Sequence, residues 1–510
     1  MDDKITIEIH HDYYRIYPYK FQKWNRETKE VEGTCPELDK KFMIFDRMYH
    51  HYSLDLDIYD KKNKELRLPI GVNKEFIEEK LYNNNVEYEE IDKNNEFPIP
   101  REVNDLYLND DLEIRDKYQA QGIDFLTSDE LFHVKLLALY TGRGKTFCAI
   151  SSIFRRKVPA LIVSPTLKDQ WLEKIIQYTN CTVDNKGITI INSSAKLDKL
   201  LKTSKEMLCS AFYITTATLL TNHIENYGTI TDIIDRLGIG ILCFDEFHTF
   251  YSKNVNICCH CDVANTYYLT ATPGRSRYDE NVIFKRLTEK IPVYGLETFK
   301  IDNYFNIRYV DYDTKPNEYE IQSCITSKGL SGILYWNYIF RSYDRKLYMI
   351  SIIKMLLDKL LEEDSDIKVL IYLAKKEHIR EFYTILEKLY SKTNLKFGNY
   401  TTDTKKEYKR REIKNNIIFT TIGSGGVGLD IENLRAIFSI VPYSSSITAS
   451  QMLGRLRPVP GKEVYFYDFD DKGIRSMDHQ RNCRNTILRV KAKTIGHKTI
   501  TMEEAKDYIE

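Results

Sequence analysis

Two short clusters in this chain have residue types and an order suited to handling phosphates. Thr141-Gly142-Arg143-Gly144-Lys145-Thr146 follows the apolar run VKLLALY (134–140) and precedes the helical segment FCAISSIFRRK. In a strand, loop, helix setting the glycines let backbone N–H groups converge on an anion, and the positive end of the helix faces the same charge. Lys145 would add a point charge to the terminal phosphates, and Thr146 a hydroxyl to Mg²⁺. The general G-x4-G-K-T spacing would require glycine at 139, where this chain has Leu139, so the motif alone is incomplete. The second cluster, Asp245-Glu246-Phe247-His248, closes the buried-type run IGILCF (239–244). Asp245 suits a metal held through its water shell, and Glu246 suits orienting and deprotonating an attacking water. A lone acidic pair at a strand end more often caps the next helix; following a phosphate loop, the catalytic reading is favoured.

The elements that must position these residues are legible as alternation. Short β-branched runs, ALIVSP (160–165), ITII (188–191), FYITTA (212–217), IGILCF and YYLTAT (267–272), are separated by longer helical stretches. That is the pattern of βαβ units in a parallel sheet. It resumes with VLIYLA (369–374), LKFGNY (395–400), NIIFTT (416–421), AIFSIV (436–441) and VYFYDF (464–469). The expected fold class is therefore α/β, with two tandem parallel-sheet domains at 106–300 and 346–475 and a connecting segment at 301–345. Ligands of such sheets bind at the carboxyl ends of the strands.

Residues 1–105 differ, with aromatic-rich alternating segments such as DYYRIYPYK, and predict a small α+β accessory domain that packs its tyrosines or offers them to nucleic acid. Residues 476–510 form a basic tail, read as a solvated amphipathic helix or a phosphate-contacting surface. Lys plus Arg and Asp plus Glu both number 74, so a polyanion partner would have to meet a local patch. No apolar stretch is long enough to cross a bilayer and no leader is evident, which predicts a soluble intracellular protein. Ten cysteines in 510 residues suggest a reducing compartment rather than a disulfide framework. Cys258-Cys259-His260-Cys261 has zinc-ligand types but no second ligand pair at suitable spacing, so no structural zinc is expected.

Five motifs in order give the chain a family resemblance. Gly142–Thr146, Asp245–His248, Thr270-Ala271-Thr272-Pro273, Gly426-Val427-Gly428-Leu429-Asp430 and Gln451-Met452-Leu453-Gly454-Arg455 are similar to motifs I, II, III, V and VI of superfamily 2 helicases and translocases. The resemblance spans about residues 113–470 and implies two RecA-like lobes using ATP and Mg²⁺. The DEAH-like box DEFH, the TATP motif and the upstream R-D-K-Y-Q (Arg115–Gln119) resemble the branch of XPB-type and viral or phage DNA helicases more than DEAD-box RNA helicases.

Further roles follow from that resemblance alone. It implies that Gln119, beside Tyr118, reads the adenine, and that Thr141, Gly142, Arg143, Gly144, Lys145 and Thr146 hold the phosphates, with Thr146 and Asp245 on the metal. It implies that Pro165 and Thr166, ahead of Gln170 and Trp171, together with Thr215, Thr216, Thr420 and Thr421, grip the nucleic-acid strand. His248 and Gln451 would couple the lobes, and Gly428 and Asp430 would approach the nucleotide sugar. Arg455 is expected as the arginine finger; the usual second arginine position is Pro458, leaving Arg457 as the nearest substitute. The implied partner is nucleic acid, DNA ahead of RNA, in viral or phage replication, recombination or transcription. The alternatives are an RNA helicase and a binding scaffold with weak ATPase.

Overall fold

Val134–Leu137, Ala160–Val163, Phe212–Thr215 and Ile241–Phe244 are buried at every position, as strands must be when helices or another sheet cover both faces. The computed structural model describes residues 4–508 apart from 26, 47–50, 55, 106, 110–111, 115–116, 140–141, 166–169, 184–186, 272, 275–277, 296–302, 327–328, 426–428 and 430. The chain divides into two compact units, Met1–Phe299 and Lys300–Glu510.

Each unit is built on a seven-stranded sheet in which every pairing is parallel. In the first unit the spatial order is Ile188–Ile190, Phe212–Thr215, Ala160–Val163, Ile241–Phe244, Asn265–Leu269, Val134–Leu137, Val293–Tyr294. In the second it is Phe397–Tyr400, Ile417–Thr421, Lys368–Leu373, Leu434–Ser439, Val464–Asp471, Phe305–Tyr312, Ala492–Thr499. Counted along the chain within each sheet, both orders are 3-4-2-5-6-1-7. The tandem RecA-like expectation holds, and the two sheets are topological copies.

Adjacent residues of one strand serve different cores, because side chains alternate across a sheet. In the first unit Leu137, Ile162, Ile214, Cys243 and Leu269 pack with Ile123, Cys148 and Ile150 of the helices Lys117–Thr127 and Lys145–Arg156. Their neighbours Leu136, Leu161, Tyr213, Leu242 and Tyr268 turn to the opposite face.

That opposite face is covered in part by the N-terminal residues. A mixed five-stranded sheet, in the order Tyr59–Asp60, Glu65–Pro69, Tyr13–Tyr17, Ile5–Ile9, Tyr88–Asp92, carries the helix Lys74–Asn83. Ile5, Ile7, Ile16, Leu66, Leu68 and Ile77 belong to the same apolar cluster as Leu161 and Tyr268. The α+β character expected for 1–105 is present, within a core shared with the first parallel sheet. Gly71 marks the closeness of the packing, since a Cβ there would lie 2.4 Å from the Leu287 carbonyl oxygen.

Two stretches differ from the sequence reading. Residues 301–345, expected as a connecting segment, supply the strand Phe305–Tyr312 and the helix Gly332–Phe340, whose Tyr335, Trp336 and Ile339 are fully buried. Residues 476–510, expected as a basic tail, form the helix Arg475–Lys491 and the seventh strand, Ala492–Thr499. Arg475 and Arg489 of that helix are exposed, but Arg481 and Arg484 are neither solvated nor a free surface. Arg484 is 1% exposed and donates from Nε to Asp468 Oδ1 (3.0 Å), while Arg481 Nε donates to Asp468 Oδ2 (2.9 Å). Paired buried charge had the same composition as an exposed basic face, which is why sequence could not tell them apart.

Candidate nucleotide and nucleic-acid site

The phosphate loop turns on two glycines in the left-handed region, Gly142 (φ +83°) and Gly144 (φ +85°). Gly144 has a second reason to lack a side chain, because a Cβ would lie 2.3 Å from Gln119 Nε2. Gln119, only 1% exposed, thus packs its amide against the loop, and Arg143 reaches over the ring of neighbouring Tyr118 at 6.0 Å. The loop then enters the helix Lys145–Arg156, with Lys145 buried and Thr146 half-buried in its first turn. Lys145 Nζ donates to the Leu139 carbonyl at 3.2 Å and lies 3.7 Å from Glu246 Oε1.

The acidic pair follows the strand Ile241–Phe244, two places from the loop's own strand. Asp245 accepts a hydrogen bond from Trp171 Nε1 (2.9 Å). Burial, with the Glu246 charge beside it, holds the Asp245 carboxyl above its usual range. Glu246 has φ +48°, a left-handed backbone that a non-glycine residue adopts at some cost, as functional residues do when surroundings enforce it. Its Oε2 accepts from Ala271 N (3.4 Å) and lies 3.5 Å from His248 Nδ1. His248 Nδ1 also meets Thr270 Oγ1 at 2.8 Å, and Thr270 N donates to the Leu137 carbonyl at the end of the loop's strand (3.1 Å). The strand Asn265–Leu269 lies between the two chemical strands and ties their ends together.

Gly142–Thr146, Asp245, Glu246, His248 and Thr270 therefore converge at one sheet edge. Thr141, Thr166, Thr272, Gly428, Asp430 and Arg115 lie outside the described residues. Pro165 is half-buried after the strand Ala160–Val163. Thr215 is buried and donates to the Ile191 carbonyl (3.2 Å); Thr216 caps the helix Ala217–Tyr227, accepting from Leu219 N (3.4 Å).

In the second unit Thr420 donates to the Tyr400 carbonyl (2.8 Å) and Thr421 to Ser424 Oγ (3.0 Å). Thr421 lines a cavity of about 630 Å³ with Lys375, Lys376 and Gly423. Gln451 is half-buried in the helix Ser446–Leu453; Arg455 just beyond it donates from Nη1 to the Leu429 carbonyl (2.8 Å), and Arg457 is exposed.

Sequence reasoning did not foresee the Trp171–Asp245 bond or the Leu139 carbonyl under Lys145. The first had a signal, since a buried indole must find an acceptor. Of the cysteine cluster, Cys258 Sγ lies 3.1 Å from the Tyr268 hydroxyl and Cys259 Sγ donates to the Arg67 carbonyl, while burial pushes these thiols and that of Cys261 well up. No helix among the described residues is long and apolar enough to cross a membrane.

Residues 112–275 match the family described as type III restriction enzyme, res subunit. No curated protein matches the chain. Among solved structures, a putative HsdR subunit of a type I restriction enzyme from Vibrio vulnificus YJ016 is 15% identical, with a TM-score of 0.48 over 76% of this chain and 69% of that one. S. cerevisiae Dbp5 bound to RNA and ADP BeF3 is 14% identical, with a TM-score of 0.46 over 77% and 93%. T4 UvsW is 15% identical, with a TM-score of 0.35 over 98% and 100%. The family match takes in the phosphate loop, the acidic pair and Thr270-Ala271 as one ordered set on one parallel sheet, and over residues 112–275 it supports a superfamily 2 helicase or translocase.

Proposed function

We propose that the chain is an ATP-driven motor that tracks along nucleic acid, DNA in preference to RNA. The observation that carries this reading is the 3.7 Å approach of Lys145 Nζ to Glu246 Oε1, with Asp245 alongside. A cation for the terminal phosphates and a base for water stand together at one strand edge. The residues fit Mg·ATP, since the loop turns on two positive-φ glycines and offers a buried amine opposite an acidic pair. Bound Mg·ATP supplies the phosphoryl group that water attacks.

The chain's own residues do the rest. Lys145 would exchange Glu246 and the Leu139 carbonyl for phosphate oxygens, and Thr146 and Asp245 would hold the metal. Glu246, thereby released, takes the proton of the attacking water. His248 and Thr270 fix the Glu246 side of this arrangement. We assign Gln119 and Tyr118 to the adenine, Gly428 and Asp430 to the sugar, and Gln451 with Arg455 to the charge developing on the phosphoryl group, Arg457 assisting.

We assign strand contacts to Pro165, Thr166, Thr216 and Thr421, with Thr215 and Thr420 holding those segments in place. Thr215 and Thr420 are buried, pair with neighbouring strands and donate their hydroxyls to carbonyls.

The test is ATP hydrolysis by the full chain with single-stranded, duplex and branched DNA and with RNA, at fixed salt because phosphate contacts are salt-sensitive. Stimulation by DNA is expected. Stimulation by RNA alone would reassign the track, and indifference to every nucleic acid would sink the motor.

A further inference from the structure

Far from the phosphate loop in chemistry, though joined to it by one strand, three side chains meet where the N-terminal sheet touches the first parallel sheet. His11 and Asp12 lie in the turn between the strands Ile5–Ile9 and Tyr13–Tyr17; His133 immediately precedes Val134–Leu137. One ligand atom from each of the three lies within 4.8 Å of the other two. Asp12 is 4% exposed and already anchored, its Oδ2 accepting from Val263 N (2.8 Å) and its Oδ1 from Thr266 Oγ1 (3.1 Å).

The two imidazoles are harder to explain as ordinary packing. His11 and His133 stack with ring centroids 3.7 Å apart, and Phe97 and Phe132 flank them. The Nε2 atom of each ring is shielded from solvent and has no hydrogen-bond partner among the described residues. Leaving such a group unsatisfied is costly. His11 Nδ1 lies 2.9 Å from the Asn94 carbonyl, which can only accept, so Nδ1 carries the hydrogen and Nε2 presents a lone pair. Orienting one ring nitrogen through a carbonyl on the other is how proteins prepare a metal-binding histidine.

The spacing agrees. His133 Nε2 stands 3.5 Å from Asp12 Oδ1, without hydrogen-bond geometry. Two ligands about 2.1 Å from a zinc ion at the tetrahedral angle are roughly 3.4 Å apart. We propose that His11 Nε2, His133 Nε2 and Asp12 Oδ1 bind a zinc-class divalent cation that clamps the N-terminal sheet to the strand leading into the phosphate loop. Two imidazoles and a carboxylate favour zinc or a similar transition ion over Mg²⁺, which prefers all-oxygen surroundings. A fourth position would be taken by water.

The test uses the full chain, stripped with chelator and kept in excess Mg²⁺ so that the acidic pair at Asp245 does not compete, with Co²⁺ as a spectroscopic probe. One Co²⁺ per chain is expected, with visible ligand-field absorption, no near-ultraviolet thiolate band, and displacement by Zn²⁺. His11→Gln and His133→Gln should each weaken binding at least about 10-fold, and the rise in Tm on adding metal should vanish in whichever variant folds. Absence of saturable uptake by the unsubstituted chain would overturn the proposal, as would unchanged affinity in a folded variant. A thiolate band would also overturn it, by moving the metal to the cysteines at 258–261.

Discussion

Lys145 and Glu246 face each other at 3.7 Å although their strands are not neighbours, because Asn265–Leu269 lies between them and its end, Thr270-Ala271, binds both sides. Here the two charges neutralise one another; on the proposed reading, each takes a separate task once nucleotide binds. Lys145→Ala should therefore weaken ATP binding and hydrolysis together. Glu246→Gln should leave binding near the original and lower kcat by about 10²- to 10⁴-fold. Calorimetric binding beside steady-state hydrolysis reads both, and equal loss of binding in the two variants would refute the division of labour.

Trp171 is placed to tune the Asp245 carboxyl. To hold Mg²⁺ as proposed, Asp245 must be ionised, yet burial and Glu246 raise its pKa, so Mg·ATP affinity should fall as pH drops. Trp171→Phe removes the N–H that favours the ionised form. The fall should then begin at a higher pH, and the fold should lose about 1–3 kcal/mol. Affinity measured across pH in both proteins checks this; superimposable profiles would exclude a tuning role.

The second unit depends on a buried charge cluster. Asp468→Ala strands Arg481 and Arg484 without their shared carboxylate, and removing one partner of a buried pair costs about 3–5 kcal/mol. The loss should appear in chemical denaturation of the second unit, while nucleotide binding by Lys145 persists. A change below about 1 kcal/mol would mean the arginines find other partners.

Acid should destabilise the protein for a reason unrelated to catalysis. Burial holds His260 and His378 down to about 4, from the ordinary 6.5, so both stay neutral in the fold while the unfolded chain takes up protons. The unfolded state binds more protons between those values, so stability is complete above about 6.5 and declines as pH falls toward about 4. His378→Phe, which keeps a ring beside Phe340, should flatten part of that decline in urea midpoints taken across pH. An unchanged slope would assign the acid sensitivity to other groups.

Much of this was readable from residues because buried parallel strands announce themselves as apolar runs, and Gly142–Thr146 and Asp245-Glu246 fall at their ends. The strand Phe305–Tyr312 was missed since FNIRYVDY mixes polar and aromatic residues, and its partners in Val464–Asp471 lie 159 residues downstream. The helix Arg475–Lys491 looked like surface for the same kind of reason. Arg481 and Arg484 are core residues only because Asp468, on another element, meets them. The approach of His11 to His133 is likewise invisible locally, since it exists only once the N-terminal sheet docks.

The shared 3-4-2-5-6-1-7 order has a quantitative corollary. In the first sheet the chain leaving the first strand opens into the phosphate loop. In its copy, the residues leaving Phe305–Tyr312 are closed off, for Thr314 N donates to Asp471 Oδ1 (3.1 Å) and the Thr314 hydroxyl to Asp471 Oδ2. There the Thr314 amide and hydroxyl are spent on Asp471 rather than left for an anion. On the proposed reading, duplicated architecture thus yields an unduplicated stoichiometry, a single triphosphate taken up per chain.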